Sequence, residues 1–159
     1  MRTARLALAL TLIAAPAFAA SPAPQTFPGG PGAIVLAGKC TKLVVGKLDA
    51  SKNCKAELAS VTAPNGTVTF IFTSEGKMLG FAGDGKTIKP AANGNVRLSL
   101  NQVVSGAGKT MTGEVKAAGT CTFGNPYAGK AIFIECSAES KDSKFTGSFR
   151  TVGDQPSKK

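Results

Sequence analysis

Histidine and tryptophan are absent from this 159-residue chain, tyrosine occurs once, and acids are scarce, nine against 19 lysines and arginines. Each shortage excludes a class of chemistry. Without histidine there is no Ser-His-Asp or Cys-His catalysis, no imidazole metal ligand, and no side chain whose ordinary pKa lies near neutrality. Sugar- and base-stacking sites use exposed flat aromatics, and here the nine phenylalanines include Phe18 near the start and several at core-facing positions. Only Tyr127, in a turn after Asn125-Pro126, is expected at the surface; it is a candidate partner contact, though packing on its own turn is the commoner fate of such a residue. Carboxylates remain as catalysts. Glu114 and Glu135 both fall in expected strands, but no spacing links them, and exposed cross-strand partners for lysine are the commoner fate of such residues.

Long hydrophobic runs are also missing beyond the first nineteen residues. Residues 1–19 begin with Arg2 and Arg5, continue with an apolar run over residues 6–15, and end in Ala17-Phe18-Ala19. A basic start, a short apolar run and small residues at the end make a secretory leader, and the run is too short to anchor in a bilayer. Removing 19 residues from 159 leaves 140, the size of one domain able to bury its own core. No cysteine follows the expected cleavage point to take a lipid.

Four cysteines are present, Cys40, Cys54, Cys121 and Cys136. An even number in an exported chain reads as a disulfide framework. Three connectivities exist; Cys40–Cys54 with Cys121–Cys136 is preferred because each pair brackets one hairpin turn, at about 3 kcal/mol per loop. A four-cysteine zinc site is disfavoured, because neither pair has the gap of two to four residues usual in zinc knuckles.

With the leader gone, 17 basic residues face nine acids, a net charge of +8, and 15 of the 17 are lysines. A positive balance suits a polyanion: nucleic acid, acidic polysaccharide or the phosphates of a membrane surface. Scattered lysine is more often a solvated surface, and arginine is the residue for bidentate phosphate recognition, so nucleic acid is disfavoured.

Residues 20–32, ASPAPQTFPGGPG, hold four prolines and three glycines and read as an extended arm. From residue 33 to 152 the apolar period is two. Val68, Phe70 and Phe72 alternate with Thr67, Thr69 and Thr73, leaving Ile71 as an apolar exception on the outer face. Residues 54–59 also suit a helix, but Pro64-Asn65-Gly66 follows, and Asn-Gly between alternating runs marks a hairpin. Met111 and Val115 are read as one face against Thr112, Glu114 and Lys116, and residues 131–138 as a central strand apolar on both faces. Residues 153–159 read as a tail. The expectation is an all-β fold: a single antiparallel meander of eight or nine short strands, closed as a barrel in preference to a two-sheet sandwich, because no charged or proline-marked edge strand stands out.

Two motifs match catalytic patterns and fail on context. Residues 80–87, GFAGDGKT, spell a phosphate-binding P-loop, but Pro90 and Asn93-Gly94 follow too closely for the helix that motif needs. Ser74-Glu75-Gly76-Lys77 spells S-x-x-K, which belongs at the start of a buried helix in a much larger domain. Both are read as turns. Asn65-Gly66-Thr67 matches a glycosylation acceptor and is likewise read as turn chemistry.

The expectation for function is an exported, periplasmic or secreted, non-enzymatic binding or structural module without cofactor or metal. Its partner is an unidentified protein or a polyanionic envelope or extracellular component, met through loops at residues 47–53, 83–94 and 105–109. Candidate contacts are Lys47, Lys52, Lys86, Lys89, Lys109 and Tyr127. The alternative is an inhibitor of an exported hydrolase, whose clamped loops would lose little entropy on binding. An enzyme using Glu114 or Glu135 ranks below both.

Overall fold

The structure, a computed structural model, describes residues 32–108, 110–125 and 130–153. The expected leader, all but the last residue of the expected arm, Lys109, Tyr127 and the expected tail beyond Gly153 lie outside the described residues.

Alternation in the sequence becomes strand after strand. In chain order these are β1 (Ile34–Val45), β2 (Leu48–Asp49), β3 (Cys54–Thr62), β4 (Thr67–Ser74), β5 (Lys77–Asp84), β6 (Lys89–Pro90), β7 (Val96–Ala107), β8 (Thr110–Phe123), β9 (Phe133–Glu139) and β10 (Lys144–Thr151). Three short 3-10 turns interrupt them, at Ser51–Asn53, Gly85–Thr87 and Ala92–Gly94. The eight long strands form an antiparallel meander, and β10 returns to pair with β1, closing the barrel. The two-residue strands β2 and β6 are side excursions, pairing β1 and β7 respectively.

The barrel is filled. Phe72, Phe81, Phe149, Leu58, Leu98 and Ile134 are fully buried within it, joined by Cys121 and Cys136. The rings of Phe72 and Phe81 meet edge to face, 5.7 Å between centroids, a favourable arrangement of their quadrupoles. Gly147 makes this possible: a Cβ there would stand 2.7 Å from the Phe72 ring. The apolar exception Ile71 is explained on the outside, where it packs with Ala59 and Met78 in a small second cluster.

Both disulfides have the preferred connectivity, Cys40–Cys54 and Cys121–Cys136. Cys121 and Cys136 face one another directly across β8 and β9 inside the core. The turns follow their chemistry. Asn65 Oδ1 accepts from the Thr67 amide at 3.0 Å, and Glu75 and Gly76 both take positive φ between β4 and β5, the geometry a two-residue hairpin demands. Of the P-loop match, the first five residues are β5 and the rest a 3-10 turn capped by Asp84, whose side chain accepts from the Lys86 amide at 2.9 Å.

Three readings of the sequence need correction. Residues 131–138 are not apolar on both faces: β9 alternates throughout, with Ile134, Cys136 and Ala138 inside and Phe133 54% exposed. Residues 105–107 are not loop but the end of β7. Met111 and Val115 do not share a face. The register slips between Ser105 and Gly106, so Val115 stands opposite Val103, a core residue, while Met111 stands opposite Gly106, beside the outer Met78.

Candidate functional site

The wall of the barrel is interrupted between β1 and β3. β1 pairs β3 only from Ile34 to Ala37, and β2 only at Val44 and Val45. Between these points its register with β10 slips at Cys40 and Lys42, while that of β3 with β4 slips between Cys54 and Leu58. The two strands diverge, and the Cys40–Cys54 bond spans the gap. The 3-10 turn leans in to satisfy the freed backbone. The Leu43 amide donates to Ser51 Oγ at 2.9 Å, and the Ala50 amide donates to the Leu43 carbonyl at 2.8 Å. Such pairing is what a partly buried amide requires.

An open cavity of about 520 Å³ results, lined by Lys39, Thr41, Ser51, Lys52 and Ala56 with the Cys40–Cys54 bridge. The charged side chains lining it are both lysines. Lys39 and Lys52 are exposed, and the only ion pair among the described residues joins Lys144 to Glu139, 3.4 Å apart and elsewhere. Near the same turn Glu75 accepts a hydrogen bond from Asn53 Nδ2, and the Asp49 carboxylate is held below the ordinary carboxylate range, first by hydrogen bonds from the Ser51 side chain and backbone and then by the Lys42 charge.

The ladder adds an arrangement that no reading of the sequence supplied. Lys39 stands directly opposite Arg150, whose guanidinium lies 5.0 Å from the centre of the Phe133 ring. Elsewhere on the wall Lys89 stands directly opposite Arg97. Both arginines beyond residue 19 are therefore cross-strand neighbours of a lysine. Like charges in that position oppose folding, and an anion bound between them relieves the repulsion.

The six candidate contacts do not form one surface. Lys47 and Lys52 lie at the end of the barrel carrying the β1–β2 turn, beside the cavity for Lys52. Lys86 and Lys89 lie at the opposite end, between β5 and β7. Lys109 and Tyr127 are outside the described residues; Thr110 belongs to the first end and Asn125 to the second. Glu114 and Glu135 are both exposed on the wall. Sequence reasoning missed Lys39, Arg97 and Arg150, because only the strand register pairs them. A second, smaller cavity of about 180 Å³ opens at the end with Lys86 and Lys89, and its lining is apolar, including Ile34, Phe70, Ile88 and Phe123.

Against family models, curated proteins and solved structures, the chain has no match.

Proposed function

We propose that this barrel is a non-enzymatic binding module of the cell exterior that holds a polyanionic envelope or extracellular component across the Lys39–Lys52 cavity. A fold of this kind hosts many activities and argues for none of them alone; the reading rests on the site. Its main support is the cation pair Lys39 and Arg150, in register on the wall, of which Lys39 lines with Lys52 a cavity of about 520 Å³. The two disulfides suit an oxidising, exported environment, and we place the protein in the periplasm or beyond.

Retention on immobilised heparin and on anionic vesicles tests the reading. At low salt the protein is expected to bind, with affinity falling steeply as counterions compete. The double variant K39A/K52A is expected to lose about tenfold in affinity and to show a salt slope shallower by about two. A protein that passes unretained at low salt, or a double variant that elutes with the wild type, overturns the assignment.

A further inference from the structure

β8 is longer than the strand that should cover it. It pairs with β7 from end to end, yet with β9 only from Ala118 to Phe123. Among the described residues no strand pairs with the other edge of residues 110–117. Every residue from Thr110 to Lys116 is exposed, Met111 and Val115 each at 44%. Such an edge presents a row of free backbone donors and acceptors and is a template for another strand.

The side chains on this edge choose the occupant. Register with β7 sets Glu114 opposite Val104 and Lys116 opposite Gln102, while Val115 stands opposite Val103. Glu114 and Lys116 therefore share one face, and Val115 sits between them on the other. Neither charge has an ion-pair partner among the described residues. We propose that this edge pairs antiparallel with the same edge of a second copy of the chain, about a two-fold axis at Val115. In that register Glu114 meets the partner's Lys116, Lys116 meets the partner's Glu114, Val115 meets the partner's Val115, and Gly113 meets the partner's Ala117.

Neighbouring registers are worse. Centring on Glu114 or on Lys116 sets like charges face to face, and centring on Gly113 leaves Lys116 opposite a threonine. Directly opposite charges across an antiparallel pair stabilise and like charges destabilise, so the sequence Glu-Val-Lys selects the Val115 axis. Two barrels then share one continuous sheet, with the bulge at Thr112 ending the pairing. The contact is short, which makes it a weak, concentration-dependent dimer rather than a permanent one. It leaves the Lys39–Lys52 cavity, between β1 and β3, free on both copies.

Sedimentation equilibrium of the purified protein over micromolar to millimolar concentration tests this. Reversible dimerisation is expected. E114K and K116E, each putting like charges opposite twice per dimer, are expected to raise the dimer dissociation constant about fivefold. The double variant E114K/K116E restores opposite charges and is expected to return to the wild-type value. Because both residues are exposed, circular dichroism should report unchanged folding in all three. As an independent readout, V115C is expected to form a disulfide between two copies. A strictly monomeric protein, single reversals without effect, or a double variant that dimerises no better than the singles overturns the proposal.

Discussion

Ser51 shows how one hydroxyl holds the open part of the wall together. Its oxygen takes the Leu43 amide, which has no strand partner there, while its own donors hold the Asp49 carboxylate. Replacing Ser51 with alanine leaves that amide unpaired, at a cost of about 1–2 kcal/mol in unfolding free energy near neutral pH. The Asp49 part of this has a definite pH sign. Its pKa in the folded protein lies below the ordinary 3.8, so its stabilisation is present above that value and is lost as pH falls through the folded pKa. The gap between S51A and wild type in urea denaturation should therefore be wider near pH 7 than near pH 2.5. Equal gaps at both would mean that Asp49 takes no part. None of this was legible beforehand, because Ser51 and Asp49 belong to a polar stretch with no period to read.

At the level of strands, the two disulfides close loops of nearly equal length, 14 and 15 residues apart, so the chain-entropy model gives each about 3 kcal/mol. Their surroundings differ. Cys121 and Cys136 are sealed in the core and joined to strands already paired on both sides, whereas Cys40 and Cys54 are half-buried and span a stretch of β1 and β3 that the ladder between them does not reach. Dilute reductant under native conditions should open Cys40–Cys54 first, giving a folded species with two free thiols that peptide mapping assigns to Cys40 and Cys54. Hydrogen exchange should then quicken at residues 38–43 and 54–57 before it does in β8 and β9. Simultaneous loss of both bonds would show that the gap in the wall is no weaker than the core. The pairing of the cysteines was readable because each pair brackets a turn, and β4 because valine and two phenylalanines alternate with three threonines, Ile71 alone excepted. What escaped reading was every place where the register slips. The slip at Ser105 and Gly106 put Met111 and Val115 on opposite faces, and the slips at Cys40 and Cys54 opened the cavity. A bulge adds one residue to one strand of a pair, and its sequence signal is no stronger than that of an ordinary polar position. β9 failed for a different reason: Phe133 is apolar by type but lies outside, under Arg150.

For the molecule as a whole, closure by β10 on β1 was legible from the lack of a charged or proline-marked edge strand, while the placement of charge was not. Lysines spaced evenly along the chain look like solvated surface, yet the ladder sets Lys39 beside Arg150 and Lys89 beside Arg97, with one ion pair among all described residues to offset a chain charge of +10. A barrel with so little neutralisation is held against its own repulsion, and salt screens that repulsion within about 8–10 Å at physiological strength. Raising sodium chloride from about 10 to about 300 mM should therefore raise Tm, by about 2–4 °C for a domain of this size. Binding to a polyanion must move the other way, weakening over the same range. A saturating polyanion at low salt should raise Tm further than salt alone, because it adds binding free energy to the relief of repulsion. Differential scanning calorimetry with and without heparin at the two salt concentrations separates the terms. A Tm that is flat in salt would mean the like-charged pairs are already relaxed into solvent, and the cation pair at the cavity would then lose its standing as a site held in readiness for an anion.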